Sequence, residues 1–317
     1  MLDVGLVLAG IACLAGGGEL LIRGAMAVAK RLGVSPLLTG LVIIGFGTSM
    51  PELVVSVGAA YAGSPDIAIG NVVGSNIGNI LFILGLCAVI APLQVAPVAL
   101  RRDGLIVVGS ATLFVVLAWG GLLDRWRGVV LLASLIGYLG WTYWSDKRKQ
   151  DAVAAMHEHE AEALQRVPRG WRSGVAIVVG LGLLIAGARW MVQGASGLAE
   201  SLGASQATIG MTVVAVGTSF PELTVSVIAA VRRQGDVAIG NILGSNIFNV
   251  LGILGVATLV QPLAIVGRAA SFDQWVMLGT SVVLFAFLAT QRRVSRWEGA
   301  VLLVGYAVYV GLGWMMG

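Results

Sequence analysis

Charge is what this sequence has least of. Only 11% of its 317 residues are Asp, Glu, Lys or Arg, against about a quarter in soluble domains. With 57% hydrophobic residues and a mean hydropathy of +0.92, the chain cannot build a solvated surface, which excludes a soluble globular protein. Histidine is confined to His157 and His159 in one polar stretch. No apolar run therefore holds an imidazole for a metal or a nucleophile–base pair. Cysteine is limited to Cys13 and Cys87, both inside apolar runs. That excludes a disulfide framework and leaves two small buried hydrophobes. The net charge of +4 is dispersed in short clusters, not gathered on a basic face, so nucleic acid is excluded as a partner. The short alternating segments of a transmembrane barrel are absent too.

What is present is a succession of runs long enough to cross a bilayer as helices. The reading is an all-α polytopic membrane protein. Ten transmembrane helices are expected near 4–29, 34–62, 67–91, 104–121, 126–145, 172–198, 204–231, 237–260, 273–290 and 297–315. The first run lacks a basic leader and carries Asp3, so a retained span is expected, not a cleaved signal. With the N-terminus outside, the inner connections hold 15 basic residues and the outer ones only Arg125, Arg127 and Arg268. The positive-inside rule then places both termini outside, as expected for a prokaryotic inner (plasma) membrane. Residues 146–170 form the one substantial polar loop, read as a solvated linker with a short helix. His157 and His159 are two apart and share no helical face, so a metal site there is not expected.

The halves of the chain are copies. Shifted by 170 residues, 33–93 aligns with 203–263 without a gap, and 30 of 61 positions are identical. The expected division is 1–145, a first five-helix repeat; 146–171, a cytoplasmic linker; and 172–317, a second repeat. Five is odd, so the second copy enters the membrane from the opposite side. Such inverted repeats place substrate sites near the midplane, between broken helices.

Two motifs carry the chemistry. GTSMPELVVSV contains Pro51 and Glu52; GTSFPELTVSV contains Pro221 and Glu222. An ionised carboxylate at mid-bilayer costs at least ~3 kcal/mol. A pair of them calls for cations, protons or cationic partners. Proline removes an N–H and is expected to leave the Gly47 carbonyl unpaired, which is tolerated where a cavity or protein satisfies it. Thr48 and Ser49, with Thr218 and Ser219, add hydroxyl oxygens a turn before each acid. In the following run Asn71, Ser75 and Asn79 recur every four residues, as do Asn241, Ser245 and Asn249. Those amides and hydroxyls are either interhelical glue or ion ligands. An all-oxygen set with two carboxylates suits Ca²⁺, Mg²⁺, Mn²⁺ or Na⁺. Competition for one set of oxygens is the simplest basis for exchange. A passive cation channel and a membrane-embedded acid-pair enzyme are the other classes; the inverted repeat speaks against the first, and the missing nucleophile–base pair against the second.

Together these stretches resemble the sodium/calcium exchanger family, within the cation/calcium antiporters, over nearly the whole chain. The resemblance implies a compact core of spans 2, 3, 7 and 8, with spans 1 and 6 long, tilted and sliding. It implies that Glu52 and Glu222 are the principal Ca²⁺ ligands, helped by Thr48 and Thr218. Ser49, Ser75, Asn79, Ser219, Ser245 and Asn249 would complete flanking Na⁺ sites, with a backbone carbonyl near Ala215. It implies an antiporter and no enzyme, no cofactor beyond the transported Ca²⁺ and Na⁺, inorganic cations and membrane lipid as partners, and no obligate protein partner. Proton-coupled relatives carry Asn-Ala where Thr48-Ser49 and Thr218-Ser219 stand here, which favours Na⁺ over H⁺ coupling. Potassium-dependent relatives carry Asp where Asn249 stands. The 146–170 loop is too short for the calcium-sensing domain of animal exchangers.

Overall fold

The computed structural model describes residues 2–94, 99–156, 170–201, 217–289 and 293–316. Helix α1 spans Leu2–Leu32. A broken pair follows, α2 (Pro36–Thr48) and α3 (Met50–Tyr61), bent by 44° at the junction. Next come α4 (Pro65–Ile90), α5 (99–117), α6 (Arg125–Met156) and α7 (Gly170–Ser201). The chain ends with α8 (Phe220–Val231), α9 (Gly235–Val260), α10 (Ala269–Ala289) and α11 (Arg296–Met316).

Among the described residues, six helices are long and apolar enough to span a membrane, or seven if the bent pair counts as one. That is fewer than the ten expected. Helix α5 keeps only 13 regular α-helical residues after a π-helical start that contains Arg101, Arg102 and Asp103, and α8 is described from Phe220 on. Helix α6 runs eleven residues past its expected end at 145, so the start of the polar linker continues a helix.

Helices α4 and α9 form the centre: 67% and 83% of their apolar windows are buried, against 22–33% in α1, α6, α7 and α10. Around them pack α2, α3 and α8. Helices α1 and α7 lie antiparallel, in contact along their lengths. Gly10 faces Gly187, Gly17 faces Gly180, and Gly24 faces Ser173. A Cβ on Gly17 would stand 2.8 Å from the Gly180 carbonyl, so only glycine permits this approach.

Two short ribbons were not expected from an all-helical reading. Strands β1 (Leu93–Gln94) and β4 (Arg293–Val294) pair antiparallel, as do β2 (Leu122–Leu123) and β3 (Leu263–Ala264). Each joins a loop of the first half to one of the second. Arg102, expected in a solvated loop, is buried at 5% exposure and paired with Asp103. Asp103 also accepts from Tyr138, and Asp273 is held likewise by Arg268 and Tyr309. A buried acid needs such partners. Cys87 is buried, Cys13 half-buried, and both are free.

Candidate functional site

The proline motifs break their helices as their chemistry dictates. Ser49 leaves helical geometry at φ −81°, ψ 8°, and Pro51 sits in the first turn of α3, where a missing N–H costs nothing. Ser219 repeats this at φ −88°, ψ 7°, before Pro221 in the first turn of α8. The carbonyl that collects the extra donors is that of Gly45, not Gly47. It accepts from the Ser49 N–H at 3.2 Å, Thr48 Oγ1 at 3.3 Å and Ser245 Oγ at 3.1 Å, while the Gly47 carbonyl is approached by the Ser49 N–H.

Glu52 and Glu222 therefore lie in the first turns of α3 and α8, and both are buried. Each is hydrogen-bonded by the serine of the other motif. Ser49 Oγ donates to Glu222 Oε1 at 2.8 Å, and Ser219 Oγ donates to Glu52 Oε1 at 3.2 Å. Thr48 Oγ1 lies 3.2 Å from Asn241 Oδ1 and 3.5 Å from Ser245 Oγ. Ser75, Asn79, Ser245 and Asn249 are buried on α4 and α9. Both helices widen into π turns, at 79–84 and 248–253, a distortion common at functional sites.

The polar stripe divides by role. Asn71 Nδ2 donates to the Glu52 carbonyl and to Ser56 Oγ, at 3.2 and 2.9 Å. Asn241 Nδ2 does the same for Glu222 and Ser226, at 3.3 and 2.8 Å. These amides brace the carboxylate helices. The oxygens left over are informative. Glu52 Oε2, Glu222 Oε2, Thr218 Oγ1, Asn79 Oδ1 and Asn249 Oδ1 are among the buried side-chain oxygens that have no hydrogen-bond partner in the described residues. An unpaired buried oxygen costs 1–3 kcal/mol or more. These five belong to residues singled out by their chemistry, and all are oxygens, the donor type that hard cations take. No group of three or more His, Cys, Asp or Glu occurs among the described residues, so neutral oxygens must supply the remaining coordination. Ala215 lies outside the described residues.

Sequence reasoning missed Asn76 and Asn246, both buried. They cross-link α4 to α9, Asn76 Nδ2 donating to the Asn246 carbonyl at 3.2 Å. Their signal was the SN pair inside both GSNI copies, 170 residues apart. Glu19 was missed too. It sits within α1 and pairs with Arg23 and with Arg232, just past α8.

A small cavity of about 40 Å³ reaches the site beside Ser75 and Ser219, between Phe82, Leu223 and Tyr306. Broken helices, paired buried carboxylates and an all-oxygen donor set define a membrane-embedded cation-handling protein. The family model described as sodium/calcium exchanger protein matches residues 2–144 and 172–315. The chain belongs to that family, one of transporters and not of enzymes. It is 36% identical to the putative antiporter CaxA of Alkalimonas amylolytica and 32% identical to the sodium/calcium exchanger MaX1 of Methanosarcina acetivorans, each over 96% of both chains. The solved structure of the sodium-calcium exchanger NCX_Mj, soaked without Na⁺ and Ca²⁺, superposes with TM-score 0.84 at 32% identity over 98% of both chains.

Proposed function

We propose that this protein exchanges Na⁺ for Ca²⁺ across a membrane by alternating access. The observation that carries this is the set of five buried, unpartnered oxygens on Glu52, Glu222, Thr218, Asn79 and Asn249. Two carboxylates neutralise one divalent ion or two monovalent ones. Glu52 and Glu222 take Ca²⁺ with Thr48 and Thr218; Ser49, Ser75, Asn79, Ser219, Ser245 and Asn249, with the Ala215 carbonyl, complete Na⁺ sites. More than two Na⁺ per Ca²⁺ makes the exchange electrogenic. Hydroxyls at Thr48, Ser49, Thr218 and Ser219, all in or beside the carboxylate network, favour Na⁺ over H⁺ as the coupling ion.

The architecture proposed is ten spans in two inverted repeats, 1–145 and 172–317, joined by the linker 146–171. Support comes from contacts that recur in both copies: Ser49 to Glu222 and Ser219 to Glu52 across the halves, Asn71 to Ser56 and Asn241 to Ser226 within each half. The charge asymmetry of the loops favours a prokaryotic plasma membrane with both termini outside. Exposed Trp119, Trp126, Trp171 and Trp297 near helix ends suit an interfacial aromatic belt.

The test is ⁴⁵Ca²⁺ uptake into proteoliposomes under separate Na⁺, K⁺ and H⁺ gradients. Uptake driven by Na⁺ alone, and altered by an imposed membrane potential, is expected. Uptake driven by H⁺ and indifferent to Na⁺ makes this an H⁺/Ca²⁺ antiporter. Flux that needs no counter-ion makes it a channel.

A further inference from the structure

An asparagine can serve a cation only through its oxygen. Its NH₂ group, presented instead, repels the ion, and the two orientations have nearly the same shape. Something must therefore select the orientation at Asn79 and Asn249. The selection begins at two backbone carbonyls, which can only accept. Asn246 Nδ2 donates to the Asn76 carbonyl at 3.5 Å, so its Oδ1 faces the other way and accepts from Asn79 Nδ2 at 3.0 Å. Asn79 Oδ1 is then the atom left buried without a partner among the described residues.

The second copy runs in the opposite sense. Asn76 Nδ2 donates to the Asn246 carbonyl at 3.2 Å and approaches the Met277 sulfur at 3.6 Å. Its Oδ1 accepts from Asn249 Nδ2 at 3.0 Å, and Asn249 Oδ1 is left over. Reversing Asn79 would set its oxygen against the Asn246 oxygen; reversing Asn249 would do so against Asn76. Every member of both relays is buried at 3% exposure or less, where an acceptor–acceptor contact is costly. We propose that Asn76 and Asn246 are positioning residues: through crossed relays they turn the Asn249 and Asn79 carbonyl oxygens, respectively, into the cation site. This rests on the exchange reading above.

The relays predict a crossed pattern of dependence. N246L, with a side chain close in shape to asparagine, removes the acceptor for Asn79, and N76L removes the acceptor for Asn249. Each is expected to raise the Na⁺ concentration for half-maximal exchange about tenfold, as for one lost polar contact. In an N79A background N246L should add no more than about twofold, while in an N249A background its full effect should persist. N76L should show the reverse. Full effects in all four double variants would mean that the two asparagines merely glue α4 to α9, and would overturn the proposal. Where a leucine variant does not fold, N246A or N76A enters the same cycle. Wild-type protein run alongside separates the two readings: absent Na⁺-driven uptake sinks exchange alone. The crossed pattern is then read on ²²Na⁺ binding to detergent-solubilised protein, where additive effects again sink the relay.

Discussion

Helices α4 and α9 share a glycine pair at matching positions, Gly70 and Gly74 with Gly240 and Gly244, and give it different surroundings among the described residues. Gly240 and Gly244 are buried. A Cβ on Gly240 would stand 2.6 Å from the Leu37 carbonyl, and one on Gly244 would overlap that of Leu41. Phe46 of α2 stacks on Phe248 of α9 beside this seam, with ring centroids 4.3 Å apart. Their counterparts Gly70 and Gly74 are exposed and half-buried, and no described atom comes within 4 Å of a Cβ on either. The faces differ in sequence one turn further on, where Phe248 of α9 stands at the position of Gly78 in α4. Helix α2 is seated against α9, whereas the segment that the repeat sets opposite Gly70 and Gly74 lies outside the described residues; the cavity beside Ser75 also touches Gly74. Glycine pairs of this spacing permit close helix approach, and the second copy uses its pair in that way.

The largest expected effect concerns what both faces share. E52Q and E222Q should each lower Na⁺-driven ⁴⁵Ca²⁺ uptake by at least about 100-fold, since removing one charge from a buried cluster costs about 3–5 kcal/mol. Near-normal uptake in either variant removes that residue from the site. The second test separates the faces. G244A should lower the melting temperature in detergent, because the new methyl displaces backbone at a cost of about 1–3 kcal/mol, whereas G74A should melt like the wild type. Equal losses would erase the asymmetry. Third, G74V should keep its melting temperature yet slow exchange by about tenfold, because any helix that closes on this glycine surface during transport would meet that side chain. Unimpaired exchange in G74V means that this face never closes. Fourth, N249D should change the Na⁺ dependence of exchange by a few-fold while leaving protein yield unchanged, as a carboxylate replaces a neutral oxygen. An unaltered Na⁺ curve excludes Asn249 as a ligand. The smallest effect tests repeat geometry. Arg233 holds φ 59° in the turn where the first copy has Gly63 at φ 73°, so R233G should stabilise by up to about 1 kcal/mol, read as a slightly higher melting point.

Much of the site was legible because its chemistry conflicts with its surroundings. Proline and a carboxylate in an apolar run announce a broken helix and a buried charge, and the structure places Pro51, Glu52, Pro221 and Glu222 accordingly. The repeat made the pairing of the two acids legible. It could not say that Ser49 reaches Glu222 and Ser219 reaches Glu52, because that depends on how two distant segments dock. Asn76 and Asn246 escaped because they lie one residue, or 100° of helix, off the four-residue stripe. Glu19 with Arg232 and Arg102 with Asp103 escaped because hydropathy averages over isolated charges that a partner neutralises. The ribbons are two residues per strand, too short for any alternation to show.

Those ribbons limit how the molecule can deform. Leu93–Gln94 with Arg293–Val294, and Leu122–Leu123 with Leu263–Ala264, each fasten a loop of one half to a loop of the other. They flank opposite ends of α5, so the peripheral helices make a frame clamped top and bottom. Rocking of two rigid halves would shear both clamps. Among the described residues, the parts free of them include α1 and α7, packed along their glycine seam, and the broken helices beside the carboxylates. Motion confined to those helices would leave both clamps intact and displace little lipid.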